Sequence, residues 1–366
     1  MLVTESNKMS RVIKKFADAM MIETEDAKIV RSRTYNYNFN KKTGFFVRWG
    51  ETVEVDPSIA PFPEILDIEV SEICNGVPNP SGVESPCSFC YKANTRVGRN
   101  MSFDTFKTII DKMPFLTQVA FGADAKAESN PDLFRMLEYS RSIGVIPNLT
   151  VANISDETAD FLSATCGAVA VSRYTNKDIC YNSVKKLTDR GMKQVNIHQM
   201  VSIETFDQVF ETLRDMQTDE RLRGVNAVVM LSLKKVGRGV SFSKLPDDKF
   251  KEIVDYALDN RIGLGFDSCS QHKFEKAVRG RPNYKELIQL SDPCESTAFS
   301  VYINVEGNMY SCSFCEKAPS FPVGVSVVEA EDFIRDVWNH EKTAAWRHNM
   351  LDKRSCGSFG CPVYDV

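Results

Sequence analysis

The sequence predicts an α/β fold of parallel strands joined by crossover helices, and three observations predict it. Short β-branched runs alternate with longer amphipathic ones from Glu64 to Asn260, the pattern of repeated strand-helix units. Capping signals stand where such units need them: Ser102, Ser155 and Thr205 or Asp207 precede helical runs, and Gly144 and Gly191 follow them. Cysteines then gather at the two ends of this region, outside the alternating pattern.

In order, residues 1–62 come first. Val12, Ile13, Phe16 and Met20 fall at helical spacing and predict a short amphipathic helix packed on the core. TYNYNFNKKTGFFVRWGETVEV alternates around a KKTG turn and predicts a hairpin. Pro57, Pro61 and Pro63 mark a boundary, so the main domain is set at 63–290, with a C-terminal unit at 291–366. Strands are predicted at EILDIEV, TQVAFGA, IPNLTVA, AVAVSRY, QVNIHQMVS, NAVVMLSLK and LGFDS. Helices are predicted at SFDTFKTIIDKM, NPDLFRMLEYSRSIG, SDETADFLSATC, DICYNSVKKLTDRG, TFDQVFETLRDM and PDDKFKEIVDYALDN. Near the end, AFSVYINVEGNMYSC alternates around Glu306-Gly307 as a hairpin, and DFIRDVWNHEKTAAWR reads as one helix.

Composition narrows the function. The 366 residues can bury a sizeable core, and 43% hydrophobic with 26% charged residues is ordinary for a soluble enzyme. A net charge of −4 gives no global drive towards nucleic acid or an anionic membrane. The N-terminal stretch is interrupted by Lys8, Arg11, Lys14, Lys15 and Asp18, and no later run approaches membrane-spanning length, so a cytoplasmic location is expected. Eleven cysteines, an odd number, then read as metal or redox ligands rather than a disulfide framework.

The chain is organised around Glu64–Ser102. There a strand leads to Cys74, twelve residues rich in Gly and Pro, and the pair Cys87 and Cys90 in CSFCYK. Three thiolates on one loop point to an iron-sulfur cluster, and three ligands for four irons leave one iron open to a small molecule. A structural zinc knuckle is the alternative for the same spacing.

These residues resemble the radical S-adenosylmethionine (SAM) superfamily, although the usual first spacing is three residues rather than twelve. The chain also resembles radical SAM proteins encoded in bacteriophage genomes, which keeps nucleotide or modified-base chemistry open as the second reading. The resemblance implies a partial (β/α)6 barrel, a [4Fe-4S] cluster on Cys74, Cys87 and Cys90, and SAM on the fourth iron. Phe89 matches the aromatic residue that precedes the third cysteine. Gly122, Ala123 and Asp124 stand where the family holds the SAM ammonium, with Asp124 in place of a glutamate; a plain turn is the alternative there. Ser172 and Arg173, at the end of the fourth strand, are assigned to the SAM ribose and carboxylate. Gly237 and Arg238 resemble the Gly-Arg turn of peptide-modifying members, a basic loop that meets an acidic group or is simply solvated. Asp267, at a strand end, and His198, on a strand, are the catalytic candidates, each weighed against a structural role.

Cys294, followed by twelve residues, Gly307, four residues and Cys312, then Cys315, resembles the SPASM or twitch extension, which holds auxiliary clusters. One auxiliary [4Fe-4S] cluster is expected on Cys294, Cys312 and Cys315, with Cys361 as the fourth ligand and Cys356 in reserve; zinc is again the alternative. Cys166 and Cys180 read as buried thiols, as does Cys269, a weak ligand candidate. The activity implied is reductive SAM cleavage and hydrogen abstraction from a peptide or protein side chain, fed by an external donor such as a flavodoxin or ferredoxin. A nucleotide, modified base or other small molecule is the second substrate class, and a non-catalytic iron-sulfur or zinc protein the third reading.

Overall fold

The computed structural model describes residues 12–16, 18–79, 81–316, 324–355 and 363. Five strands open the chain: β1 (Val12–Phe16), β2 (Ala19–Glu23), β3 (Ala27–Arg31), β4 (Asn36–Asn40) and β5 (Phe46–Trp49). They form one antiparallel sheet in sequential order. The expected hairpin is there as β4 and β5, but the expected helix over Val12–Met20 is replaced by β1 and β2. The physical reason lies in AMMIE, where Ala19 and Met21 are buried and alternate with half-buried neighbours, so the period is two and the sheet supplies the backbone bonds.

The strand β6 (Ile65–Glu69) starts the main sheet, and a two-residue hairpin, β7 (Val77–Pro78) and β8 (Glu84–Ser85), forms the excursion between Cys74 and Cys87. Then follow α1 (Phe103–Asp111), β9 (Gln118–Gly122), α2 (Leu133–Ser142), β10 (Ile146–Val151), α3 (Asp156–Thr165) and β11 (Ala168–Ser172). The series continues through α4 (Lys177–Asp189), β12 (Val195–Val201), α5 (Phe206–Thr218), β13 (Ala227–Ser232), α6 (Asp247–Asp259) and β14 (Leu264–Phe266). All seven predicted strands and six predicted helices of this region are present. Ser102 and Ser155 accept from the backbone N–H three residues on, and Gly144 and Gly191 end their helices at φ of 75° and 79°.

After α7 (Gln271–Val278) and α8 (Tyr284–Ile288) come β15 (Ser300–Ile303), β16 (Asn308–Tyr310) and β17 (Val325–Ser326), then α9 (Glu341–Ser355). The sheet order is β14-β13-β12-β11-β10-β9-β6-β15-β16-β17, parallel from β14 to β15 and antiparallel beyond. Thus the C-terminal hairpin extends the sheet beside β6. The single helix expected over Asp332–Arg347 is instead two pieces, a wide turn at Ile334–Trp338 and then α9. Arg347 explains the break: its guanidinium donates to the carbonyls of Trp338 (2.8 Å) and Thr297 (2.6 Å), drawing the end of the first piece onto the loop before β15.

Alternation divides each central strand. Leu66 and Ile68, Val119 and Phe121, Leu149 and Val151, Val169 and Val171 face the helices and form the main core. The intervening residues face inward. The N-terminal sheet packs where the barrel strands begin: Tyr37 donates to the Phe115 carbonyl (3.1 Å), Lys28 to that of Leu116 (2.5 Å), and Arg48 joins Glu64 and Glu295. Phe62 stacks on Phe115 with ring centroids 4.1 Å apart. Full burial of such side chains is worth about 1.5–3 kcal/mol each, so this sheet is a cover for the N-terminal end of the barrel. Among the described residues no helix is long and apolar enough to cross a membrane.

Candidate functional site

The strand ends opposite that cover enclose a cavity of about 520 Å³. Its wall includes Cys74, Cys87, Phe89, Cys90, Gly122, Ala123, Asp124, Ser172, Arg173, His198, Arg238 and Asp267, so the residues singled out in the main domain, apart from Gly237, converge on one space. Cys74 follows β6, and its N–H donates to the Thr95 carbonyl at 2.7 Å, which returns the loop to the strand that launched it. Burial pushes the Cys74 thiol up. The Cys87 and Cys90 thiols are hydrogen-bonded to one another, which pushes the Cys87 thiol up and holds that of Cys90 down.

The Gly237-Arg238 turn, predicted to face substrate or solvent, clasps the cysteine loop. The Arg238 N–H donates to the Cys90 carbonyl at 2.9 Å, and its guanidinium donates to the carbonyls of Cys87 (2.9 Å) and Asn94 (3.1 Å). Gly237 sits at φ +59°, and a Cβ there would lie 2.2 Å from the Tyr91 carbonyl oxygen, so only glycine permits the approach. Phe89 is wedged between Tyr174 and Phe242, with centroids 5.7 and 5.8 Å away.

Asp124 is buried and holds its own loop. Its carboxylate accepts backbone N–H groups from Lys126 (3.1 Å), Glu128 (3.0 Å) and Ser129 (2.9 Å), which is the turn alternative realised. Ser172 faces inward and is hydrogen-bonded to the Tyr174 hydroxyl. Arg173, the next residue, follows the outward side of β11: it donates to Glu211 at 2.8 Å and to the Tyr174 carbonyl, and lies over the Tyr181 ring. Its guanidinium is therefore engaged on the helix side rather than aimed at a cavity ligand, a correction that follows from strand alternation.

His198 faces the cavity from β12, and burial pulls its pKa down to about 4 against the attraction of Asp267. Asp267 is bonded to Lys234 and to Ser270, and Lys234 in turn lies 4.8 Å from the Phe314 ring centroid. Lys234 opens the basic loop expected after the sixth strand, whereas Asp67, in the middle of β6, was not singled out from sequence.

The second cysteine set stands beside the first. Cys312 and Cys315 have their sulfurs 3.3 Å apart, and Ser296, two residues after Cys294, donates to the Ser311 carbonyl at 2.6 Å. Cys356 and Cys361 lie outside the described residues, while Cys166 and Cys180 are buried in the core as expected. The two loops meet directly. Lys92 is paired with Glu69 (3.0 Å) and Glu316, and donates to the Tyr302 hydroxyl at 2.6 Å; Tyr91 packs on Phe314 and is hydrogen-bonded to Ser313. The signal that sequence reading missed is a repeated hexapeptide, CSFCYK at 87–92 and CSFCEK at 312–317. Among the described residues no three Cys, His, Asp or Glu side chains converge to hold a single metal ion. The donor set fits a thiolate-bound cluster: three cysteines on one cavity, with peptide N–H groups of Ala125 and Gly76 at the Cys74 sulfur and of Lys92 and Asn94 at that of Cys90.

No protein-family model and no curated protein matches the sequence. Among solved structures, the chain is similar to SuiB of Streptococcus suis bound to the precursor peptide SuiA, with 13% identity, a TM-score of 0.68, and coverage of 92% of this chain and 90% of that one. SuiB alone and SuiB bound to S-adenosylmethionine match with TM-scores of 0.63 and 0.60 at 12% identity, covering 97% and 98% of this chain and 100% of each of theirs. The chain therefore shares the fold of SuiB over almost its whole length.

Proposed function

We propose that this protein is a radical SAM enzyme that modifies a peptide or protein side chain. The observation that carries the proposal is the set Cys74, Cys87 and Cys90, brought to the open end of a SuiB-like barrel around one cavity. Those three would hold a [4Fe-4S] cluster, with one iron left for SAM. Bound there, the cluster supplies reductive cleavage of SAM to a 5'-deoxyadenosyl radical that takes a hydrogen atom from the substrate. Gly237 and Arg238 keep the cysteine loop in place, and the N-terminal sheet covers the far end of the barrel. Gly122, Ala123 and Ser172 line the space for SAM, while Asp124 fixes the loop beside them. Asp267 and His198 face the substrate, the carboxylate anchored by Lys234 and the imidazole kept neutral.

Cys294, Cys312 and Cys315, with Cys361 or Cys356, would hold one auxiliary [4Fe-4S] cluster, and an external flavodoxin or ferredoxin would deliver the electron. The peptide assignment rests on the likeness to SuiB, a protein solved with a precursor peptide bound. Incubating the anaerobically reconstituted protein with SAM, dithionite and fractionated cell extract tests it. A SAM-dependent mass change in a peptide or protein is expected; a change confined to the nucleotide or small-molecule fraction would overturn the substrate class.

A further inference from the structure

The charged groups that line the cavity are matched almost one for one. Lys92 is paired with Glu69 and Glu316, Lys234 with Asp267, and Arg173 with Glu211; Arg238 is spent on backbone carbonyls, and Asp124 on backbone N–H groups. Asp67 is the exception. Among the described residues its carboxylate makes no hydrogen bond and no ion pair, and the charge that acts on it, Glu295, has the same sign.

Its setting is built rather than accidental. Asp67 lies in the middle of β6 on the inward face, in register with Ala120 on one side and Tyr302 on the other. Ala120 leaves the space beside the carboxyl open, and the Tyr302 hydroxyl is already committed to Lys92, Glu69 and Glu316. Asp67 is an exposed residue of the cavity lining, and the surrounding protein, by desolvating its carboxyl, raises it to about 6. An anion desolvated in this way, with no counterion, is a site waiting for a donor. The same cavity wall carries Phe89, Met200 and Leu231, surfaces suited to an alkyl stem.

We infer that Asp67 determines substrate specificity by pairing with a cationic nitrogen, an ammonium or guanidinium carried on an alkyl stem, so that the modified segment presents a lysine-like or arginine-like side chain to the cavity. This rests on the peptide reading above and names its substrate class. The test is equilibrium binding to the full-length reconstituted protein with SAM and no reductant, so that no turnover is involved. The probes are N-acetyl-lysine methylamide and its uncharged isostere N-acetyl-norleucine methylamide, read by saturation-transfer NMR titration.

Wild type should bind the lysine probe at least about tenfold more tightly than the norleucine probe, one charge-assisted contact's worth. Asp67→Asn should erase that preference while its circular dichroism melt stays cooperative, and Asp67→Glu should retain part of it. Equal affinity for the two probes in wild type, no measurable binding of the lysine probe, or an undiminished preference in Asp67→Asn would each overturn the assignment. Absence of SAM cleavage by the wild-type protein under reducing conditions would instead refute the radical reading, and is scored separately.

Discussion

Gly237→Ala tests whether the turn after β13 holds the first cysteine loop. The new Cβ would stand 2.2 Å from the Tyr91 carbonyl oxygen and 2.6 Å from that of Cys90. Both are backbone atoms, so no rotamer change relieves the clash, and one loop must move. The residue also sits at φ +59°, where a side chain costs about 1–2 kcal/mol. Separation of the loops loses the Arg238 N–H bond to Cys90, worth about 1 kcal/mol, and the guanidinium bonds to Cys87 and Asn94, worth about 1.5–3 kcal/mol together. Gly82→Ala is the matched control: it lies on the excursion between Cys74 and Cys87 at φ +83°, with nothing within 4 Å of the added Cβ. It should show the strain alone. The difference, about 2.5–4 kcal/mol, corresponds to hydrogen exchange in residues 87–94 faster by about two to three orders of magnitude in Gly237→Ala than in Gly82→Ala. Exchange rates within threefold of each other would refute the close-approach argument.

Lys92→Met leaves Glu69 and Glu316 buried without their cation, and should lower unfolding stability by about 3–5 kcal/mol in urea titration; adding Glu69→Gln and Glu316→Gln should recover part of the loss, and no loss in the single variant would contradict the network. His198 should titrate near 4 in an NMR pH series of labelled protein, not near its free value of about 6.5. Between those values the unfolded chain binds more protons, so this residue's contribution, at most about 3 kcal/mol, is present above about pH 6.5 and lost as pH falls towards 4; an imidazolium already formed at pH 6 would contradict it. Cys312→Ala with Cys315→Ala should abolish product formation while sparing uncoupled SAM cleavage, because the open iron belongs to the first set; full turnover in a folded variant would remove the auxiliary role.

The barrel was legible because its strands and helices have different periods and carry their caps in sequence. The first strand pair was not, since Val12, Ile13, Phe16 and Met20 satisfy a helical spacing while Ala19 and Met21 bury every second residue of a strand. Sequence placed Ser172 and Arg173 together at a strand end; both border the cavity, yet neighbours on a strand face opposite ways, so the Arg173 guanidinium is drawn to Glu211 on the helix side. No sequence signal marks Asp67, because alternation tells which residues share a face but not whether that face meets water or a cavity. The clasp of Arg238 on Cys87 spans 151 residues, a contact that no local pattern encodes.

The central claim is that Cys74, Cys87 and Cys90 hold the cluster at which SAM is cleaved. Anaerobically reconstituted wild type should contain about eight irons per chain, by the three-ligand plus four-ligand count, and release 5'-deoxyadenosine from SAM with dithionite. Replacing those three cysteines by alanine should halve the iron and abolish 5'-deoxyadenosine, with the fold retained by circular dichroism. Stoichiometric zinc in place of iron in protein purified without oxygen, or undiminished SAM cleavage by the triple variant, would contradict the account.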